Sequence, residues 1–420
     1  MLLTKVITFK PSINEKIILD SFAYASTKLW NIANYEKHNY KDLGFEKFPN
    51  WYGQKKRLKD NFWFKNLPSQ TSQNVLDILQ KSWKSFFELK ETKGIKNPNP
   101  PKFKKKNSLY NFTFLNNGFD IVDDNTINFT ISKQLKNYLK EKHSINSKYL
   151  TLKIDNFSKV DGKIKTIEFK PFKNNTYKIF IAYELENLTL KEDNQKYLSI
   201  DIGIKNLFTC YDNKGYSFII SGSKYLNINY YYNKKIAHYQ SIVYQQQIAK
   251  GSKYGKDTKR IKRLYDKKNK KLKHFLHTVT KSIKDYCVTN NISKVIIGDI
   301  KNIRKDTNFG RITNQKLHSL PYAKIYALLE YKLLREGIEL IKQKESYSSQ
   351  CSPTTPKVSK EYATKKNRVK RGLFISNRVK YNADSVGAYN ILRLYEQTIK
   401  KEIPKVLKGL SNPQRINVSV

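Results

Sequence analysis

The sequence predicts an α/β protein in two parts. The first is β-rich and carries a helical insertion. The second is built on short buried strands that end in carboxylates. Three observations carry this reading. Tyr197-Leu-Ser-Ile-Asp-Ile-Gly203 is an apolar strand with one carboxylate, Asp201, inside it. Lys294-Val-Ile-Ile-Gly-Asp-Ile300 repeats the pattern with Asp299. Between such strands run long stretches with apolar residues three and four apart, the period of a packed helix. A charge in a buried strand is costly unless it is paired or holds a metal. Gly203, at the strand exit, admits a close backbone or ligand.

A chain of 420 residues is expected to hold more than one domain. Its hydrophobic content of 39% is globular. The charge is not ordinary: 80 Lys and Arg stand against 35 Asp and Glu, a net of +45. Self-repulsion on that scale opposes compaction, and a polyanionic partner is the simplest reason to carry it. A membrane surface is the competing partner. No apolar run reaches the roughly 18–20 residues that span a bilayer, and no signal peptide is visible. Nucleic acid is therefore expected. Cys210, Cys287 and Cys351 form no paired motif, which fits a reducing cytoplasm and no disulfide framework.

In chain order, Leu3 to Lys10 alternates as a strand that stops at Pro11. Ser12 to Glu15 is a capping box, opening a helix through Phe22, Leu29 and Ala33. Asn39 to Asn61 reads as irregular. Ser69 is expected to cap a second helix, with Val75, Leu79 and Trp83 on one face. Gly94 to Pro101 is a loop, and Lys102, Lys104, Lys105 and Lys106 follow as candidate phosphate contacts, although a charge run is also an ordinary solvated face. Leu109 to Phe129 and Lys163 to Glu184 alternate as strands.

After the Asp201 strand come a partner strand through Leu207 and Cys210 and a third over 216–220. A long helical region follows. Its second half, Lys253 to Cys287, has one apolar side and a basic remainder of Lys259, Arg260, Lys262, Arg263, Lys267, Lys268, Lys270 and Lys271, the strongest local nucleic-acid signal in the chain. The Asp299 strand, a helix over 322–336, a strand from Ile338 to about Glu345, and a helix headed by Asp384 complete the chain. Three strands, a long insertion, strand, helix, strand, insertion and helix is a ribonuclease-H-like order. Such a fold brings carboxylates from distant strands together, where hard cations such as magnesium find oxygen ligands.

These segments also resemble the TnpB family, RNA-guided nucleases of bacterial insertion sequences and ancestor-type relatives of type V CRISPR effectors. The resemblance rests on Trp30-Asn31, Leu67-Pro-Ser-Gln70, Pro101-Lys-Phe-Lys104, Leu198-Ser-Ile-Asp-Ile-Gly203, Lys273-His274 through His277, Val295-Ile-Ile-Gly-Asp-Ile300, Asn314-Gln-Lys-Leu-His318, Tyr347-Ser-Ser-Gln-Cys351 and Asn382-Ala-Asp384 with Gly387-Ala388. It implies a β-rich wedge domain over 1–190 with a helical recognition insertion over about 12–108. A RuvC-like nuclease domain follows over 191–400, with a helical insertion over about 225–290 and a zinc-ribbon-like insertion over about 347–380. A C-terminal tail closes the chain over 401–420.

Two departures from the family matter. The middle acid of its Asp, Glu, Asp set is usually a Glu where this chain has Gly298. Asp299 is adjacent but points to the opposite strand face. Glu345, at the end of the neighbouring strand, is the expected replacement. The expected metal set is thus Asp201, Glu345 and Asp384 on magnesium or manganese, with Asp299 in reserve. The second departure is the ribbon: Cys351-Ser-Pro-Thr354 and Phe374-Ile-Ser-Asn377 hold one cysteine where four are usual, so zinc is not expected. The implied activity is RNA-guided DNA cleavage, with a guide RNA, a duplex target bearing a short flanking motif, no membrane, and one chain per RNA. A binding protein without nuclease activity, and a guide-free resolvase or transposase, are the alternatives.

Overall fold

Alternation in the first residues folds as expected. Strand β1 (Leu2–Phe9) exposes every second side chain. The computed structural model describes every residue except 93, 94, 96, 156, 158, 159, 161, 186–188, 301–309, 371, 419 and 420. Gly94 of the expected loop lies outside the described residues. The chain divides into two compact units, Met1–Asn187 and Leu188–Val420.

In the first unit the Ser12 hydroxyl accepts from Glu15 N, and the Glu15 carboxylate accepts from Ser12 N at 2.6 Å. That capping box opens α1 (Ile13–His38). The stretch expected to be irregular contains α2 (Trp51–Arg57), capped by Asn50. After α3 (Phe62–Lys65) comes α4 (Ser69–Glu91). Ser69 is not its cap: Pro68 holds the N-cap position and Ser69 is the first helical residue. Then follow β2 (Phe112–Leu115), β3 (Phe119–Ile121), β4 (Thr126–Thr130), α5 (Lys133–His143), β5 (Tyr149–Lys153), β6 (Lys163–Pro171) and β7 (Tyr177–Glu184). Helix α5 escapes sequence reading because it buries only Leu135 and Leu139, too sparse a stripe to show a period. One antiparallel sheet has the order β1-β7-β6-β2, and a second has β3-β4-β5. Phe22 of α1 packs against Phe112 and Phe114 of β2, which places the helix on the first sheet.

The second unit runs β8 (Tyr197–Asp201), β9 (Asn206–Asp212), β10 (Ser217–Ser221), α6 (Ser223–Ala249), α7 (Lys259–Thr289), β11 (Lys294–Asp299), α8 (Arg311–Ser319), α9 (Tyr322–Leu334), β12 (Glu339–Lys344), β13 (Leu373–Ser376), β14 (Val379–Asn382), α10 (Ala383–Ile399) and β15 (Gln414–Ile416). Its main sheet has the order β12-β11-β8-β9-β10-β15. β8 pairs antiparallel with β9, and β9 with β10, while β11 and β12 run parallel to β8. Leu198, Ile200, Val295 and Ile297 share a core with Phe275 and Val279 of α7 and Leu329 of α9. Tyr197 and Ile296, on the other face, share one with Val386, Ile391 and Leu392 of α10.

The segment after 400, expected to be a tail, is part of the sheet. Ile403 and Leu410 are buried, the Tyr211 hydroxyl donates to Val406 O at 2.7 Å, and β15 pairs parallel with β10. Its strand is only three residues long and its polar residues hide the pattern. Leu410→Ala is expected to cost about 2–4 kcal/mol in urea unfolding, against less than about 0.5 kcal/mol for the exposed Ile399→Ala.

Candidate metal centre and nucleic-acid interface

Asp201 ends β8 on the α10 side of the sheet, since it alternates in step with Tyr197 and out of step with Leu198 and Ile200. The helix comes so close that a Cβ on Gly387 would stand 2.8 Å from Asp201 Oδ2. Asp384 lies in the first turn of α10. The Asn382 side chain caps that turn, accepting from Asp384 N and Ser385 N at 3.1 Å each. Asp384 Oδ2 accepts from Asn206 Nδ2 at 2.7 Å, and Oδ1 from Arg368 Nη2 at 3.2 Å.

The neighbouring strands β11 and β12 bear on the middle acid. Gly298 shares the α10 side with Ile296, and Asp299 falls on the face of Val295 and Ile297. Gln343 of β12 is in register with Gly298, so Glu345 emerges just past the strand end. A Cβ on Gly298 would overlap Glu345 Oε2 and lie 3.1 Å from Ile391 Cδ1. Glu345 Oε2 is buried and has no hydrogen-bond partner among the described residues. The carboxylate of Glu345 therefore occupies the room that a side chain at 298 would need.

These acids repel one another. Removal from water, then the charges of Glu345 and Asp384, push the Asp201 carboxyl up to about 8, with Arg368 opposing. Burial, then the charge of Asp299, raises that of Glu345. Among the described residues no three His, Cys, Asp or Glu side chains close into a set that could hold an ion. Asp201 feels the charges of both other acids, while Asp384 is engaged by Asn206 and Arg368. Both partners went unseen in the sequence. One is an unremarkable Asn in an apolar strand and the other is one cation among 80, so no local signal marks them.

The ribbon-like segment is held by other means than four thiolates. Cys351 and Phe374 are buried, and the Cys351 thiol donates to Ser359 O at 3.3 Å. Ser352 Oγ donates to Ser376 Oγ at 2.8 Å, and Asn377 Nδ2 to Thr354 Oγ1 at 3.2 Å, joining the two half-motifs. From α10, Arg393 donates to the carbonyls of Ser352 and Thr355, and Asn390 to those of Ser348 and Cys351.

The basic residues separate into exposed and engaged ones. Lys102, Lys105 and Lys106 are exposed. Lys104 is not a free cation: its ammonium lies over the rings of Trp30 and Tyr110, at 4.5 and 3.9 Å. Its backbone is strapped to α1, with Asn31 Nδ2 donating to Lys104 O and Lys104 N donating to Asn31 Oδ1. On α7, Lys259, Arg260, Lys262, Arg263, Lys267, Lys270 and Lys271 are exposed, while Lys268 is half-buried and donates to Asn233 Oδ1 at 2.7 Å.

Comparison with known proteins bears on this arrangement. Residues 180–304 match the OrfB_IS605 family, described as a probable transposase, and residues 322–391 match the Cas12f1-like TNB domain. A solved Cas12f1–sgRNA–target DNA complex is similar with a TM-score of 0.58 and 16% identity, over 93% of this chain and 98% of that one. The chain thus has a Cas12f-like α/β fold. A TnpB-like protein of Acidianus two-tailed virus, ORF457, is 22% identical over 443 residues, spanning 98% of this chain and 91% of its own. These matches make the chain similar to TnpB-like proteins and to the Cas12f1 type V effector.

A carboxyl whose folded-state pKa is raised loses stability as pH climbs from its unfolded value, about 3.9, toward the folded one. In chelator, Asp201→Asn is therefore expected to melt with wild type near pH 4 and increasingly above it up to about pH 8. Thermal melts across that range check the sign.

Proposed function

We propose that this chain is a transposon-associated, RNA-guided DNA endonuclease that cleaves at a RuvC-like, metal-dependent site. The observation that carries the reading is Glu345 Oε2, buried over Gly298 with no hydrogen-bond partner among the described residues. An uncompensated buried carboxylate is expensive in a structural role and suits a cation ligand. The strand order of the second unit, three antiparallel strands followed by two parallel ones, supports a ribonuclease-H-like assignment. The Cas12f1 structure was solved with guide RNA and target DNA. Here too the guide would read sequence by base pairing, while the first unit, as wedge and recognition domain, holds RNA and reads a short flanking motif.

Asp201, Glu345 and Asp384 supply the hard oxygen donors that magnesium or manganese takes. Divalent cations at such a site activate water and stabilise the leaving oxygen of a phosphodiester. Asn206 orients Asp384. Arg368 balances its charge until the site is loaded. Asp299 remains the reserve acid. The ribbon segment folds without zinc on its hydroxyl, amide and Arg393 contacts. No helix among the described residues is long and apolar enough to cross a membrane, and a reducing cytoplasm suits the three free cysteines. One chain per guide RNA is the simplest stoichiometry.

A plasmid-cleavage time course with co-purified RNA tests the activity. Asp201→Asn, Glu345→Gln and Asp384→Asn are expected to abolish cutting at undiminished RNA binding, and Asp299→Asn to be milder. Several kcal/mol of lost transition-state stabilisation is about a thousandfold or more in rate. Full activity in Glu345→Gln with loss in Asp299→Asn hands the role to Asp299. The open, Arg368-engaged state of Asp384 favours a second reading, a binding protein without cleavage. An inactive wild type that still binds RNA and target would establish it. Gly298→Ala must displace the Glu345 side chain. It is expected to lose magnesium-induced thermal stabilisation while keeping its melting point in chelator within a few degrees.

A further inference from the structure

One face of α6 carries Tyr231, Lys235 and Tyr239, four residues apart and so about 6 Å apart along the axis at each step. The antiparallel run of α7 faces it with cations. Lys235 Nζ lies 4.6 Å from the centre of the Tyr231 ring. Lys235, by hydrogen bond and charge, and more weakly the charges of Lys271 and Lys267 on α7, hold the Tyr231 hydroxyl below its usual pKa. Farther along, the Arg260 guanidinium lies 4.0 Å from the Tyr239 ring centre and donates to its hydroxyl. The four cations are exposed, and Tyr231 is 51% exposed, while Tyr239 is half-buried and packs against the hairpin core. Tyr232, by contrast, turns inward with Ile236 and Ile261 to join the two helices. The hairpin's packing therefore does not need Tyr231.

We propose that this ladder of rings and cations on the α6–α7 hairpin is a stacking platform for unpaired nucleobases, binding single-stranded nucleic acid without regard to sequence. The lysines and Arg260 take the phosphates and the tyrosine rings take the bases. Stacking on aromatic side chains serves any base, and flanking cations strengthen it. A surface built only for phosphate would gain nothing from the exposed ring of Tyr231. A duplex keeps its bases stacked on each other and out of reach of them.

The inference rests on the nucleic-acid reading above, and the two fail differently. Full-length protein, freed of bound RNA in high salt, is titrated by fluorescence anisotropy with a thymidine oligonucleotide, an abasic oligonucleotide of equal length and a duplex. Tyr231→Leu with Tyr239→Leu is expected to weaken the thymidine complex about tenfold or more, leave the abasic and duplex complexes unchanged and keep the salt slope. Phenylalanine at both positions is expected to retain wild-type affinity, since the ring and not the hydroxyl carries the effect. Lys235→Gln with Lys267→Gln and Lys271→Gln is expected to reduce the single-strand salt slope by roughly 2. Equal thymidine binding by wild type and the leucine variant, at matched melting points, overturns the platform alone. So does equal wild-type binding of the thymidine and abasic strands. No binding of any of the three overturns the platform and the nucleic-acid reading together.

Discussion

Crowded carboxylates at one end of the β8–β11–β12 sheet are the constraint around which the second unit is arranged. Asp201 sits beside Glu345 and Asp384, is taken out of water, and keeps its proton to an unusually high pH. Two glycines make this crowding sterically possible. Gly387 lets α10 lie against Asp201, and Gly298 clears the space into which Glu345 turns. Neither glycine is explained by backbone conformation, since neither has a positive φ. Each is explained by what a Cβ would strike.

Helix α10 connects the acidic crevice to the segment that precedes it. Its first turn presents Asp384, its middle buries Val386, Ile391 and Leu392 against the sheet, and its far side binds the 348–355 backbone through Asn390 and Arg393. Arg368, from the same segment, returns to Asp384. The ribbon-like insertion and the acids are thus joined twice, through buried hydrogen bonds and through one partly exposed ion pair. The buried set is the stiffer of the two, because an unpaired carbonyl in that environment is costly, whereas a partly exposed ion pair contributes little.

A chain with a net charge of +45 must also dispose of its own cations. Part of that charge is absorbed locally. Lys104 is held between two aromatic rings, Lys268 is tied to Asn233, and Lys37 is buried against Pro49 O and Gln80 Oε1 with its pKa lowered to about 8 by desolvation. Others stay exposed, among them Lys102, Lys105 and Lys106 and a run along α7. The cations that look alike in a run of lysines therefore do different work, according to which neighbour the fold brings to them.

By itself the sequence determined the class of the fold, the strand with Asp201, the capping box at Ser12, the apolar side of α7 and the three separated acids. These are local patterns, set by periodicity and by the cost of burying a charge. That Glu345 lies next door to Gly298 was also legible, because the ribonuclease-H-like order sets the two strands side by side. Only the tertiary structure decided that Glu345 turns its carboxylate into the space over Gly298, that Asn206 and Arg368 hold Asp384, and that Lys104 is a packing cation. It also decided that β15, beyond residue 400, completes the sheet. Each of these depends on a partner far away in the chain, and no period or composition carries the identity of a distant neighbour.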